Sequence, residues 1–455
     1  MVPTRADRCC YVLYGEKKSE KAVKNRVSDG KKPIELLEEA IDLLMDPVAS
    51  SPSRGKEVKG VVNLHVDDLF YTGSGDFEKL VLSRLRQDFK VGSEDKNDIV
   101  FTGQRVRKKG SSLEVDQFLA VEELQEIEFN KSLSDHIACT DDLHTKYRSV
   151  LGSINWLQSR TQFQACYRFS RCASASAGPT IGDVRALNKL VRSMKSEPVQ
   201  LIYHKLKGPL RLLGIPDASY RNNSDKSSQR GQCIFLAEQR NKKELEMMTK
   251  DTHAPRSRQD LKSKDITTGT TRGSLVDFES HKINRTTLST TVSELYSFVK
   301  AFGTCLFLKG LWCDISGQEV PIHMRTDANN LVTTASTTHL PEQKETTHMI
   351  QMLRKETNSG HIEDLAHVRT EHCLADALTK TNAKPDALIK AVETGILPGI
   401  DTHPPFRTLI QHKAYLISHL VCEVSDARGV VEFLGEYVRD DILSFFSRKH
   451  FSATG

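Results

Sequence analysis

The sequence predicts a multidomain protein of the α+β or α/β class. The chain has 455 residues, more than one ordinary domain of about 100–200 residues would contain. Strand-like apolar runs occur in two separate regions, one starting at Val61 and the other near Gly208. Residues 111–205, which lie between them, carry apolar residues at spacings of three and four, as in helices that face a core. We therefore expect two strand-rich units connected by a helical one.

Composition and charge exclude several classes of protein. Apolar residues make up 38% of the chain and charged residues 27%, which suits a globular protein, and no apolar run approaches the ~20 residues that span a bilayer. Charges occupy the N-terminal stretch where a signal peptide needs its apolar segment. We expect an intracellular protein, cytoplasmic or nuclear, with no membrane partner. The net charge of +5 permits a polyanionic partner without requiring one.

The first 58 residues are predicted to be an appendage. Residues 33–46 have the pattern of an amphipathic helix, and a linker rich in Pro, Ser and Gly follows it. The ten cysteines of the chain form no CxxC pair and no Cys/His ladder, so they predict reduced thiols rather than a zinc site or disulfides.

Residues 59–110 predict a small α+β unit. A strand from Val61 leads to the adjacent Asp67 and Asp68, and a second strand and a helix over residues 76–89 follow. A further strand over residues 98–110 ends in a basic run. Residues 111–205 are expected to form a helical layer after this unit.

Residues 206–392 predict a second unit, with the element order β-β-β-α-β-α-β-α. This order predicts a mixed five-stranded sheet with flanking helices. A charged segment at about 239–272, poor in apolar residues, reads as an inserted loop between the second and third strands. Residues 393–455 form a C-terminal tail to which the sequence assigns no role.

Four carboxylates occupy distinctive positions in this second unit. Asp217 ends the first strand, Glu294 lies in the first turn of a long helix from Thr290, Asp327 ends the fourth strand, and Asp376 opens the last helix. Elements that end or start at one edge of a sheet can bring such residues together. A cluster of this kind repels itself unless cations neutralise it, and carboxylate oxygens are ligands that Mg²⁺ prefers. Two such ions about 3.5–4 Å apart could support phosphodiester hydrolysis, so the set predicts a nuclease.

Each acid also has a structural interpretation. Glu294 follows Thr291 by three residues, which is the spacing of a capping box. Asp217 suits a turn, Asp327 a helix N-cap, and Asp376 the dipole at a helix start. The functional interpretation therefore depends on the ordered set and not on any single residue.

The set carries a resemblance to the ribonuclease H domain of copia-type LTR retrotransposon Pol polyproteins. The resemblance rests on the segments "PDASYRNNSDKSSQRGQCIFLAE", "LSTTVSELYSFVKAF", "HMRTDANNLVTTA", "EQKETTHMIQMLRKETNSGHI" and "HVRTEHCLADALTK". It implies a ribonuclease H-like fold and an endonuclease that hydrolyses the RNA strand of RNA–DNA hybrids. It also implies two Mg²⁺ ions, with Mn²⁺ as a substitute, at the catalytic residues Asp217, Glu294, Asp327 and Asp376. The sequence departs from the family in its long insertion and at Val292, where these elements commonly carry Glu.

The resemblance extends upstream to reverse transcriptases of the same elements. The segment "NLHVDDLFYTGS" is similar to their paired-Asp hairpin, which implies that Asp67 and Asp68 are metal ligands, although His65 replaces the usual tyrosine. An exposed turn without a ligand is the alternative. In the family a third acid and a fingers domain precede this hairpin, so we expect a partial palm over 59–110 and a thumb or connection over 111–205. RNA-directed DNA polymerase activity is not expected from this chain alone.

A basic run is the predicted nucleic-acid contact. Arg105, Arg107, Lys108 and Lys109 could hold phosphates, and a solvated charged face is the alternative. The expected partner is an RNA–DNA hybrid or another nucleic acid, with other polyprotein products as a further class of partner. His367 and His372 flank the exit of the fifth strand, where neither matches the histidine motif of ribonucleases H.

Two functions therefore compete at this point. The first is a Mg²⁺-dependent hybrid endonuclease attached to an incomplete reverse transcriptase. The second is a catalytically inactive, nucleic-acid-binding remnant of a retroelement polyprotein. The retained carboxylates favour the enzyme, and the missing polymerase half favours the remnant. The sequence does not predict an oligomeric state.

Overall fold

The structure is a computed structural model that describes residues 1–5, 9–16, 56–239, 270–336, 344–380, 383 and 385–400. The predicted N-terminal helix, most of the predicted linker and insertion, and the tail beyond residue 400 lie outside the described residues, whereas the end of the linker, from Lys56, is a strand. None of the helices within these ranges is long and apolar enough to cross a membrane.

The first sheet contains the paired aspartates. Its four strands are antiparallel neighbours in chain order, β1 (Val2–Pro3), β2 (Cys10–Glu16), β3 (Lys56–His65) and β4 (Asp68–Gly73). His65 pairs with Asp68, so Val66 and Asp67 make a tight hairpin turn. Helix α1 follows as Gly75–Phe77, a π-helical turn over Glu78–Leu82, and Ser83–Asp88. Its Phe77 is buried with Val62 and Leu82 in a small core of its own.

The N-terminal strands are attached to the end of a distant helix, α6 (Thr290–Ser316). Arg5 donates from Nε to Asp314 Oδ1 at 2.8 Å and from its backbone nitrogen to Oδ2 at 2.6 Å. Tyr14 donates its hydroxyl to the backbone oxygen of Asp314 at 2.5 Å. Asp314 is fully buried, so these bonds fix the N-terminal sheet against this helix.

The second sheet differs from the predicted single strand over residues 98–110. That stretch is a hairpin of β5 (Asp98–Phe101) and β6 (Gln104–Lys109), and both belong to an antiparallel sheet with β7 (Ser112–Asp116) and β8 (Leu201–Tyr203). The hairpin turn consists of Thr102 and Gly103, both with positive φ, as a type I′ turn requires. A Cβ on Gly103 would lie 2.5 Å from Trp156 Cη2, so the turn packs flat against that indole.

The helical layer lies between strands β7 and β8. Its helices are α2 (Phe118–Glu122), α3 (Asp141–Gln158), α4 (Cys166–Ser174) and α5 (Ile181–Ser196). A capping box between Thr180 and Asp183 starts α5, and Thr140 caps α3. Tyr147 and Leu187 belong to the buried core that these helices share. Pairing of β6 with β7 joins this layer to the preceding unit across the boundary that the sequence suggested at residue 110.

The third sheet is mixed and carries the acidic residues. Its strands are β9 (Leu210–Ser219), β10 (Gln229–Glu238), β11 (Thr271–Lys282), β12 (Ile322–Thr326), β13 (Ile362–His367) and β14 (Ile396–Leu397). Their order in the sheet is β13-β12-β9-β10-β11-β14, where β9 pairs in parallel with β12 and antiparallel with β10. The coarse α+β prediction is confirmed. The predicted count of five strands becomes six among the described residues, because the two-residue β14 pairs with the start of β11.

Apolar side chains cover both faces of this sheet. Leu213 and Phe235 lie in a core with Leu378 on one face, whereas Leu212 and Ile234 lie in a second core on the other. Successive strand residues point to opposite faces, which is why neighbours in sequence enter different cores. The helices that pack on the sheet are α6, α7 (Asn329–Ser336), α8 (Lys344–Ser359) and α9 (Asp386–Thr394).

The predicted last helix from Leu374 is wrong. Two short 3₁₀ turns, Thr370–His372 and Leu374–Leu378, follow β13, and α9 begins only at Asp386. The helix starts directly after Pro385, whose fixed φ suits a helix start. Asp376 therefore lies in a 3₁₀ turn and does not open an α-helix.

Candidate metal centre

Two of the acids are brought together by the sheet. Asp217 lies in β9, and Asp327 directly follows β12, its parallel neighbour. Met324 is level with Gly214, so three residues further along each strand Asp327 is level with Asp217. Because the carboxyl ends of parallel strands meet at one edge of a sheet, the pairing itself places these two side chains side by side.

The other two predicted acids come from elements that pack on this edge. Glu294 is the fifth residue of α6, just past the first turn in which it was predicted, and Asp376 lies in the 3₁₀ turn after β13. The N-cap of α6 is Ser289, whose hydroxyl accepts a hydrogen bond from the Val292 backbone at 3.3 Å. Thr291 is not the N-cap, so the capping-box interpretation of Glu294 is wrong.

The potential ligand atoms lie close together. One oxygen each from Asp217, Asp327 and Asp376, together with Cys373 Sγ, all lie within 4.8 Å of one another. Glu294 is not in this group, but the negative charges of Asp217 and Asp327 contribute to raising its pKa. We call these four carboxylates and Cys373 the acidic centre. Cys373 was not predicted as a site residue.

Burial raises the pKa of three carboxyl groups of the centre. Burial, then the charges of Asp217 and Asp327, raises the pKa of Glu294 to about 9. Burial also raises the pKa of Asp217 to about 7, helped by the charge of Asp376 and opposed by Lys380. The pKa of Asp327 is raised as well, mainly by burial. In all three groups, nearby positive charge is too weak to offset the effects of burial and of the neighbouring carboxylates on the pKa.

Two carboxyl oxygens in the centre are buried and have no hydrogen-bond partner in the described part of the chain. They are Asp217 Oδ1 and Glu294 Oε2. Thr379 donates its hydroxyl to the other Asp217 oxygen, Oδ2. A buried polar atom without a partner costs about 1–3 kcal/mol, and more when it is charged. Hard divalent cations bind such oxygens, so the residues of the centre fit a divalent metal.

A lysine lies at the edge of the acidic centre. Lys380 Nζ is 2.5 Å from Asp376 Oδ1 and 3.7 Å from Asp217 Oδ1. Burial lowers the pKa of Lys380, but the charges of Asp217 and Asp376 outweigh this effect and raise it above its ordinary value. Sequence reasoning missed this residue, although its place four residues after Asp376 was available as a signal.

Asp67 and Asp68 lie apart from this centre. Both are exposed at the β3–β4 hairpin. Across the described residues, no group of three or more potential metal ligands includes either of them. Their predicted role as metal ligands stays a prediction.

The basic run is largely paired with carboxylates. Arg105 bonds to Asp98 at 2.8 and 2.7 Å. Neighbouring acids of β7 pair with Arg107 and Lys109: Arg107 lies 3.0 Å from Asp116, and Lys109 lies 3.2 Å from Glu114. Lys108 is exposed and, by strand alternation, points to the opposite face. The run is therefore not one continuous basic surface.

The two histidines lie outside the group of potential ligands. His372 packs on the backbone of Gly399, because a Cβ there would lie 2.0 Å from its Nδ1. His367 is the last residue of β13 and is half-buried.

No protein-family model and no curated protein matches the chain. Among solved structures, the chain is similar to a foamy viral protease-reverse transcriptase in complex with an RNA/DNA hybrid. The identity is 14% and the TM-score 0.38, with 79% of this chain and 41% of that chain covered. It therefore spans less than half of that protein.

Two ribonuclease H structures also match. LC11-RNase H1, isolated from compost by a metagenomic approach, is 14% identical, with a TM-score of 0.24 and coverage of 39% of this chain and 98% of that one. An N-terminal RNase H domain from Mycobacterium tuberculosis is 11% identical, with a TM-score of 0.24 and coverage of 41% and 98%. At these TM-scores no residue role is transferred from either.

Proposed function

We propose that residues 206–392 form a ribonuclease H-like unit that cleaves the RNA strand of RNA–DNA hybrids with the help of divalent metal ions. In this proposal the unit belongs to a retroelement-derived polyprotein of the copia type, after a partial palm over 59–110 and a thumb or connection over 111–205. The observation that carries the proposal is the convergence of Asp217, Asp327 and Asp376 beside Glu294, with buried carboxyl oxygens that have no hydrogen-bond partner.

The arrangement of the sheet supports the proposed fold. Three antiparallel strands, β9 to β11, precede the long helix α6, and two strands parallel to β9 follow it. This is the mixed sheet and element order that the resemblance implies. The long helix carries Glu294 back to the edge where Asp217 and Asp327 lie.

The residues of the centre would bind and orient the metal ions. When bound, two Mg²⁺ or Mn²⁺ ions activate a water and stabilise the leaving oxygen of the phosphodiester. Asp217, Glu294, Asp327 and Asp376 supply the hard oxygen ligands. Thr379 donates to one oxygen of Asp217 and so leaves the other available for a cation.

Substrate contact would come from basic side chains near the hybrid backbone. Recognition of a hybrid depends on its shape and its 2′-hydroxyls, and phosphate contacts make such binding sensitive to salt. Lys108 is exposed and pairs with no carboxylate in the described part of the chain, whereas Arg105, Arg107 and Lys109 would exchange their carboxylate partners for phosphates.

Cleavage of a labelled RNA–DNA hybrid by the full-length chain tests the proposal. The parent should cut the RNA strand in Mg²⁺ or Mn²⁺ but not in EDTA. Asp327→Asn should lower the rate at least about a hundred-fold, since even outer partners of metal ligands contribute 10–100-fold. Asp386→Asn is the matched control, because Asp386 is exposed at the start of α9. Equal rates in the parent and Asp327→Asn, or no cleavage by the parent in either metal, would remove the hydrolase proposal.

A second candidate is the inactive nucleic-acid-binding remnant. Lys380 favours it, because an internal ammonium already neutralises part of the acidic centre without a metal. A remnant would bind hybrid in a mobility-shift assay, cut nothing, and show no metal-dependent rise in melting temperature. Primer extension, with and without a complete reverse transcriptase, separately tests for polymerase activity, which we do not propose for this chain alone.

A further inference from the structure

A cysteine lies among the carboxylates of the acidic centre. Cys373 is 4% exposed and connects the two 3₁₀ turns after β13. Its Sγ belongs to the group of potential ligand atoms within 4.8 Å of one another, together with oxygens of three aspartates. Its backbone nitrogen donates to Thr370 at 3.1 Å, and its Sγ lies 4.0 Å from the Pro216 backbone oxygen, next to Asp217. Cys373 therefore connects to the 3₁₀ turn after β13 through its backbone, and its thiol lies against strand β9.

The other cysteines of the described ranges do not share this environment. Cys233 and Cys305 are buried in the apolar cores of the sheet, and none of the others belongs to a group of three or more potential ligands. Burial and then the charges of all four carboxylates of the centre raise the pKa of Cys373. The thiol lies beside three of the four predicted acids, Asp217, Asp327 and Asp376.

Apart from the position of Cys373, the centre has buried oxygens that indicate a bound cation. Asp217 is 1% exposed and Glu294 is 6% exposed, yet Asp217 Oδ1 and Glu294 Oε2 have no hydrogen-bond partner within the described chain. A site of three oxygen ligands and one sulfur ligand differs from an all-oxygen magnesium site, since thiolates select softer metals.

We propose that Cys373 is a metal ligand of the acidic centre and gives it affinity for thiophilic divalent cations such as Cd²⁺ and Zn²⁺, which compete there with Mg²⁺. This inference deepens the proposed function, because it concerns the same site. Ligand atoms of a tetrahedral Zn²⁺ ion lie roughly 3.5–3.8 Å apart, so atoms that now lie within 4.8 Å of one another would have to approach by at most about 1.3 Å.

The binding step is a simple exchange. The S–H bond of Cys373 breaks as the sulfur–metal bond forms, and the proton passes to solvent without any change of oxidation state. In a mixed site, a bound soft cation would occupy positions that Mg²⁺ needs for hydrolysis.

The test is a titration of the metal-free full-length chain with Cd²⁺ alone, followed by the ultraviolet charge-transfer absorption of cadmium thiolate. The parent should show an absorption step that excess Mg²⁺ reverses. Cys373→Ser and Cys373→Ala should lack that step, and Asp327→Asn should weaken the Cd²⁺ affinity at least about ten-fold. Cys305→Ser is the matched control, because Cys305 is fully buried in the apolar core, and it should keep the step.

The same Mg²⁺-reversible step in Cys373→Ser, Cys373→Ala and the parent would overturn the inference, as would a step that Mg²⁺ does not reverse. These results are separable from the hydrolase test. If the chain cleaves the hybrid but shows no absorption step that depends on Cys373, only the proposed role of Cys373 is contradicted. If the absorption step is present but the chain does not cleave the hybrid, Cys373 is supported as a metal ligand and the proposed hydrolase activity is contradicted.

Discussion

Lys380 Nζ donates a hydrogen bond to Asp376 Oδ1 across 2.5 Å and lies 3.7 Å from Asp217 Oδ1. A side-chain ammonium therefore occupies the edge of the proposed metal centre. Any divalent cation that binds Asp376 and Asp217 competes with it. The strength of metal binding should depend on this lysine, although it is not one of the proposed ligands.

We predict that Lys380→Met strengthens metal binding. Without metal, the variant should be less stable than the parent by roughly 1–2 kcal/mol, because a partly exposed ion pair contributes less than a buried one. Mn²⁺ should raise its melting temperature more than that of the parent, since ligand binding stabilises in proportion to the logarithm of affinity. Thermal unfolding in EDTA and in Mn²⁺ measures both effects.

Lys282→Met is the control for this experiment, because Lys282 pairs with Asp225 on the surface. Its metal response should equal that of the parent. An unchanged or smaller Mn²⁺ shift in Lys380→Met would contradict the competition.

We predict that Asp217→Asn changes stability in opposite directions with and without metal. In EDTA near neutral pH the variant should be more stable than the parent by roughly 1–3 kcal/mol, because burial raises the pKa of Asp217 to about 7 and so disfavours its charged form in the folded state. In Mg²⁺ the order should reverse, since one ligand is lost. Urea denaturation under both conditions gives the two free energies. The same sign in both would argue against a metal at Asp217.

We predict that Asp364→Asn destabilises the protein by about 3–5 kcal/mol, the usual effect of breaking a buried ion pair. Arg325 Nη2 lies 2.6 Å from Asp364 Oδ2, and both residues are buried. The change would leave a buried guanidinium without its carboxylate. Chemical denaturation at neutral pH measures the loss.

Asp88→Asn is the comparison for that pair. Arg84 and Asp88 are 3.3 Å apart but mostly exposed, so its loss should change stability by less than about 1 kcal/mol. Equal effects from the two substitutions would show that the Arg325–Asp364 pair contributes no more than a surface pair.

We predict that Glu279 contributes to the loss of stability in acid. Burial alone would raise its pKa, but hydrogen bonds from His281 and Arg230 outweigh burial and lower it to about 2. A carboxyl group with a pKa lowered in the folded state stabilises the protein above its unfolded pKa of about 4.3. That contribution is lost as the pH falls from there through about 2.

In Glu279→Gln, the free energy of unfolding should fall less with decreasing pH over this range than in the parent. The difference should be at most about 3 kcal/mol, because one pKa unit corresponds to about 1.4 kcal/mol. Urea midpoints between neutral pH and pH 2 provide the profile. A variant with the parent's slope would show that Glu279 does not titrate as described.

The order of elements from residue 210 onward was predictable because apolar alternation and helical spacing are local signals. The proximity of Asp217 and Asp327 depends on the parallel pairing of β9 with β12, which no local pattern records. The element order indicated only that these residues could converge at one sheet edge, and the resemblance implied that they do. The hairpin over residues 98–109 was missed because Gly103 was read as part of a strand, although an isolated Gly there indicates a turn or bulge.

The chemistry around the site was less predictable than the acids themselves. Cys373 lies in the centre because two 3₁₀ turns replace the expected helix. Such short turns leave no periodic pattern of apolar residues by which the sequence could have predicted them. The basic run looked continuous in sequence. Its partners Asp98 and Asp116 come from neighbouring strands, so their neutralising effect was invisible until the register was known.

The bond between Arg5 and Asp314 fixes how far the N-terminal sheet is attached from the acidic centre. Glu294 and Asp314 are twenty positions apart on one uninterrupted helix, which corresponds to about 30 Å at 1.5 Å per residue. The sheet with the hairpin aspartates is thus attached near the C-terminal end of α6, whereas the acidic centre lies near the N-terminal end of the same helix. A duplex reaching from that centre to the attachment point would have to extend at least about nine base pairs, taking 3.4 Å per step.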